Sequence, residues 1–146
     1  MKKVLLFCLL TISAITFSCK KDEVVVNPDK IYQVSTTLSG ANEVPAVVSS
    51  ATGAVTGTYN KNTKTLIVTV SYAGIEPTAW HIHKGATNAT GGVVFDFGKE
   101  FKTPFTSLPL LLTDAQETDL LNGQYYVNLH SVKSGSGEIR GHLAVR

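Results

Sequence analysis

The sequence predicts an all-β domain: an antiparallel β-sandwich with Greek-key connections and one short helix. Three observations carry that expectation. Apolar and β-branched residues alternate with a period of two from Tyr32 onward. Clusters of Gly, Asn, Ser and Pro separate the alternating stretches at short intervals. A single stretch near residues 114–122 carries the start and stop signals of a helix.

The elements follow in order. Tyr32 to Leu38 alternates loosely, and Ser39-Gly40-Ala41-Asn42-Glu43-Val44-Pro45 is a turn-rich loop. Thr52 to Tyr59 places Val55, Gly57 and Tyr59 on one face, and Asn60-Lys61-Asn62-Thr63 suits a hairpin connection. Lys64 to Ala73 is the clearest strand, with Leu66, Val68, Val70 and Tyr72 sharing a face. Thr78 to Lys84 is a strand containing Trp80-His81-Ile82-His83. It is followed by a loop from Gly85 to Gly92. Val93 to Phe97 and Pro104 to Leu111 each read as a strand. Thr113-Asp114-Ala115-Gln116 has capping-box spacing, Asp114 and Glu117 suit a helix N-terminus, and Asn122-Gly123 ends the helix. Gln124 to Ser131 and Glu138 to Val145 are the last strands. In the latter, Ile139, Gly141, Leu143 and Val145 oppose Arg140 and His142.

The first segment has a different character. Lys2-Lys3 precedes an apolar run from Val4 to Ile15 that is too short to span a bilayer. Thr16-Phe17-Ser18-Cys19 then resembles a bacterial lipobox, with Thr16 where a leucine is usual. The expectation is a signal peptide over 1–18, cleaved before Cys19, and lipidation of Cys19. A tether over 19–30 then leads to a domain over 31–146. Lys20-Lys21-Asp22-Glu23 is similar to the charged export signal of some surface lipoproteins. The expected location is the bacterial outer membrane, on its periplasmic or cell-surface side, with the membrane as partner through the anchor. Cys8 would leave with the leader, so no disulfide is expected in the mature chain.

Charge narrows the function classes. Of thirteen basic residues Lys2 and Lys3 fall in the leader, leaving eleven against eleven acidic ones. A near-neutral mature domain with no basic patch is not expected to bind nucleic acid. The sequence has no nucleophile motif, no phosphate-cradling glycine loop and no Cys-x-x-Cys.

The histidines point to chemistry. His81 and His83 are two apart on one strand face, about 6–7 Å apart at Cα, while Trp80 and Ile82 take the core face. Such a pair can chelate a divalent metal. In Tyr126-Val127-Asn128-Leu129-His130, His130 shares a face with Tyr126 and Asn128, away from the apolar face. His81, His83 and His130 are therefore candidate copper or zinc ligands, with His142 as a fourth candidate. Glu43 is a candidate acceptor for an imidazole N–H, and Arg140 a candidate partner for a carboxylate or anion. The same histidines could instead form a hydrogen-bonded cluster joining strands, or recognise a protein or envelope partner.

Four motifs in order resemble the CHRD domain, a module named for its occurrence in chordin. They are Leu38-Ser39-Gly40-Ala41-Asn42-Glu43-Val44-Pro45, His81-Ile82-His83-Lys84-Gly85, Gly123-Gln124-Tyr125-Tyr126-Val127-Asn128-Leu129-His130-Ser131 and Gly137-Glu138-Ile139-Arg140-Gly141-His142-Leu143. Ala46 replaces a proline often found there. The resemblance implies an immunoglobulin-like or superoxide-dismutase-like sandwich, and no established activity. The His-x-His pair is also similar to the copper pair of copper–zinc superoxide dismutase. Without a bridging ligand, a zinc loop or a disulfide pair, dismutation is not implied. The leading expectation is a lipid-anchored binding or scaffold module without catalysis. The alternative is a copper- or zinc-binding protein with redox activity.

Overall fold

The alternating segments become strands, as their pattern predicts. The computed structural model of the chain describes residues 28–146; the leader, Cys19 and the tether as far as residue 27 lie outside them. The strands are β1 (Ile31–Ser39), β2 (Thr52–Asn60), β3 (Thr65–Ala73), β4 (Pro77–Lys84) and β5 (Val93–Asp96), then the short β6 (Phe105–Thr106) and β7 (Leu110–Leu111). After the helix α1 (Asp114–Leu121) come β8 (Tyr125–Ser131), β9 (Ile139–His142) and β10 (Ala144–Val145).

Two expected strands are each divided. The stretch from Pro104 to Leu111 splits into β6 and β7, and Pro109 between them has no N–H to give a ladder. The last strand breaks at Leu143, where the chain changes partners: β9 pairs with β8, and β10 pairs with β1. The helix matches its signals. Gln116 N–H donates to the Thr113 hydroxyl, and Thr113 N–H donates to the Gln116 side-chain oxygen at 2.9 Å.

All pairings are antiparallel and form one continuous path, β5-β4-β8-β9-β1-β2-β3-β6, with β10 on β1 and β7 on β3. The expectation is an antiparallel sandwich. Here the Ser39–Arg140 pairing joins the two arms into a single ten-stranded sheet. The sheet is strongly curled into a half-barrel. Trp80 on β4 lies near one end of the path, yet packs on Tyr72 of β3 and Phe105 of β6 near the other, with ring centroids 6.1 and 4.6 Å away.

The core lies inside this curl. Val34, Leu38, Val55, Tyr59, Leu66, Val68, Val70, Trp80, Ile82, Val127, Leu129 and Ile139 are buried there, one face of each strand. Leu120 adds the buried contact of the helix. The alternation that sends Trp80 and Ile82 inward sends His81 and His83 to the outer face, where the site forms.

Candidate metal centre

β4 and β8 bring three of the four histidines together. In their register His81 faces Asn128, His83 faces Tyr126 and Ala79 faces His130. His130 is thus diagonal to His81, the next-nearest position on the same face. One ring nitrogen from each of His81, His83 and His130 lies within 4.8 Å of the others. The closest pair is His81 Nδ1 and His130 Nε2, 3.1 Å apart.

The outer ring nitrogens decide which atoms face the centre. His83 Nδ1 lies 2.9 Å from the Gly91 carbonyl oxygen, and His130 Nδ1 lies 2.9 Å from that of Gly135. A carbonyl oxygen only accepts, so each Nδ1 carries a proton and each Nε2 presents a lone pair. His83 Nε2 is buried and has no hydrogen-bond partner among the described residues. His81 turns the other way: its Nδ1 faces His130, and its Nε2 lies 4.0 Å from Asp96 Oδ1 on β5. His83 and His130 therefore each donate an outer N–H to a backbone carbonyl, the arrangement metal-ligating histidines use, while His81 has Asp96 at 4.0 Å. Without a metal, His81 Nδ1–H can donate to His130 Nε2 and join the strands directly.

Spacing supports a metal fit. Two imidazole nitrogens on a tetrahedral ion with bonds of about 2.0–2.1 Å stand about 3.3–3.4 Å apart. The observed range, from 3.1 Å to no more than 4.8 Å, brackets that value.

Behind the triad lies a second buried layer, and it is polar. Glu43, Asn128 and Arg140 are buried there beside His83, with the 40–46 and 85–92 loops folded against Arg140. Arg140, the candidate partner for a carboxylate or anion, is 0% exposed. Its Nε donates to the Asn42 carbonyl at 2.7 Å and its terminal nitrogens to those of Ala89 and Thr87 at 3.1 and 3.0 Å. It also sits 4.4 Å over the Tyr126 ring and 3.9 Å from Glu43 Oε2. Glu43 thus faces Arg140 and makes no hydrogen bond to an imidazole among the described residues. His142 stands one strand further on, beside Tyr126 with ring centroids 5.2 Å apart and Nδ1 3.3 Å from the Gly123 carbonyl. It does not join the three-histidine cluster.

Sequence reading left out Asp96, Tyr126 and Asn128 as site residues. Alternation alone places Tyr126 and Asn128 beside His130. Asp96 carries no such signal, since its place opposite His81 depends on the β4–β5 register, which shifts at a bulge between Ile82 and His83.

Burial favours the neutral form of His81, His83 and His142. His81 lies below the ordinary value of 6.5 chiefly through desolvation, helped by the neighbouring His130 and opposed by Asp96. His83 is lowered mainly by desolvation too, against the pull of the Gly91 carbonyl, and His142 likewise against that of Gly123. Below 6.5 the unfolded chain then binds more protons than the folded one, so stability rises with pH across that window. Metal-free protein is expected to lose stability progressively as pH falls from 6.5 toward the depressed folded values, and to level off above 6.5. Glu43, raised by burial, works in the opposite sense above its ordinary 4.5. Urea unfolding between about pH 5.5 and pH 8 measures the balance; stability independent of pH there would contradict the neutral, buried imidazoles.

With the geometry in place, the chain can be set beside known proteins. The family model for the CHRD domain matches residues 34–143. The chain belongs to the CHRD family. No curated protein and no solved structure matches it. The matched CHRD region includes all four histidines, Glu43 and Arg140, so the triad and the polar layer behind it lie inside the family domain.

Proposed function

We propose that this CHRD protein is a lipid-anchored extracytoplasmic module that binds a copper or zinc ion through His81, His83 and His130. The observation that carries the reading is the convergence of one ring nitrogen from each of three histidines within 4.8 Å, with His83 and His130 each turning Nε2 inward because Nδ1 is held by a backbone carbonyl. Imidazole-rich sites suit both metals, and three protein ligands leave a position for an outside donor. The bound ion would supply a Lewis-acid centre or, as copper, a redox centre. The chain's own residues would hold it, favour the neutral form of His81 and His83, and fix the orientation of His83 and His130. The domain would act as a binding or scaffold module, its two arms facing each other as in a sandwich with Greek-key connections. Cleavage before Cys19 and lipidation there would tether it to the outer membrane on its periplasmic or cell-surface side.

Metal content after loading with copper or zinc and removal of free metal tests the reading. Wild-type protein is expected to retain about one ion per chain, and the His81→Ala/His83→Ala variant almost none. Near-zero metal in both would sink the proposal. Incorporation of radiolabelled lipid, lost in Cys19→Ala, tests the anchor separately.

A further inference from the structure

We infer that the Tyr126 hydroxyl is a positioning group that sets the tautomer of His83, and thereby aims the His83 Nε2 lone pair into the three-histidine cluster. The inference rests on the metal-binding reading for its consequence, but the tautomer itself can be read without metal.

One residue, Gly91, links the two side chains. Its N–H donates to the Tyr126 hydroxyl at 3.1 Å, and its carbonyl accepts from His83 Nδ1 at 2.9 Å. One glycine is thus held at both ends by two aromatic side chains that are themselves stacked, with ring centroids 5.1 Å apart and planes 7° from parallel. Tyr126 and His83 face each other across the β4–β8 pair, so the stack is fixed by sheet register. The Gly91 backbone approaches β4 so closely that a Cβ there would overlap the Lys84 carbonyl, which leaves glycine as the residue that fits.

The rest of the loop is gripped from behind. Arg140 holds the Thr87 and Ala89 carbonyls and lies over the Tyr126 ring. The Gly92 carbonyl accepts from Lys84 N–H at 3.0 Å, and the Tyr126 hydroxyl is the acceptor for the Gly91 N–H. Without it, the Gly91 N–H loses its acceptor and the Gly91 carbonyl is no longer fixed on His83 Nδ1. An imidazole that can carry its proton on either nitrogen presents a blocked Nε2 part of the time, and a ligand in the wrong tautomer cannot bind. The group bonded directly to a ligating histidine, here the Gly91 carbonyl, typically changes affinity by about 10–100-fold, and Tyr126 acts through it.

Tyr126→Phe tests this, because it keeps the stacked ring and removes the hydroxyl alone. Tyr125→Phe is the control: its neighbouring hydroxyl is buried toward the core and has no partner among the described residues. In metal-free wild-type protein, long-range proton–nitrogen spectra should show His83 as a single Nδ1–H tautomer. Tyr126→Phe should show a mixture, and Tyr125→Phe the wild-type pattern. Zinc titration should then give weaker binding in Tyr126→Phe, by up to about 10–100-fold, and about wild-type binding in Tyr125→Phe. An unchanged His83 tautomer in Tyr126→Phe overturns the inference. So does an unchanged zinc affinity where wild type binds. If wild type binds no zinc or copper, the metal reading fails and the tautomer comparison alone decides whether Tyr126 positions His83.

Discussion

Arg140→Ala is expected to lower the unfolding free energy by about 3–5 kcal/mol at neutral pH, the cost of removing one partner from a buried ionic network. The guanidinium is fully buried and supplies donors to three loop carbonyls, of Asn42, Thr87 and Ala89. Its removal strips those acceptors, opens a cavity under Tyr126 and leaves Glu43 as an uncompensated buried carboxylate. Burial already raises the Glu43 pKa, and the charge of Arg140 opposes that rise. Without Arg140 the carboxyl moves further up and takes a proton more readily. A raised folded pKa contributes stability at low pH that is lost as pH climbs through it. The gap between variant and wild type should therefore narrow on mild acidification. Losing Arg140 also relieves the repulsion that helps hold His83 and His142 neutral, which acts in the same direction. Urea unfolding at neutral and mildly acidic pH reads the effect. Arg140→Ala/Glu43→Gln should recover part of the loss; a double variant as unstable as the sum of its singles would refute the coupling.

Trp80→Ala should cost a comparable amount, about 3–5 kcal/mol, for a different reason. Trp80 is the hub on which the curl closes. Its ring lies within 6.1 Å, centroid to centroid, of Tyr72, Phe97, Phe101 and Phe105. Its Nε1–H donates to the Gly98 carbonyl at 2.9 Å. Truncation removes apolar burial, leaves a cavity between the arms of the half-barrel and strips the Gly98 carbonyl of its donor. Trp80→Phe keeps part of the ring contact and should lose less. A loss below about 1 kcal/mol in Trp80→Ala would mean that the arms are held together by other contacts. The effect bears on the site as well, since His81 and His83 flank Ile82 and follow Trp80 on the same strand. A shift of β4 toward the core would draw them away from His130.

Short-range features of this fold are legible in the sequence and long-range ones are not. Alternation is local, because successive side chains in a strand point to opposite faces whatever lies around them. It was therefore enough to place Trp80, Ile82, Val127 and Leu129 in the core, and His81, His83 and His130 away from it. The helix start was equally legible, because the Thr113–Gln116 box closes within four residues. The turn chemistry located the strands but not their breaks, since the division at Leu143 depends on which neighbour each half of the last strand meets.

What the sequence determined by itself was the identity of the elements and of the residues on each face, including the three histidines. Only the tertiary structure decided that those histidines meet. Convergence needs β8 beside β4 in the register that sets Ala79 opposite His130, and a partner strand and its register are not encoded in the period of either strand. The same holds for Arg140. A charged residue on the face opposite the core reads as solvated until the 40–46 and 85–92 loops fold back over it and supply acceptors for its donors. The chain's alternation fixed two faces. The returning loops made the outer one a second, polar interior, and the candidate metal centre lies at its edge.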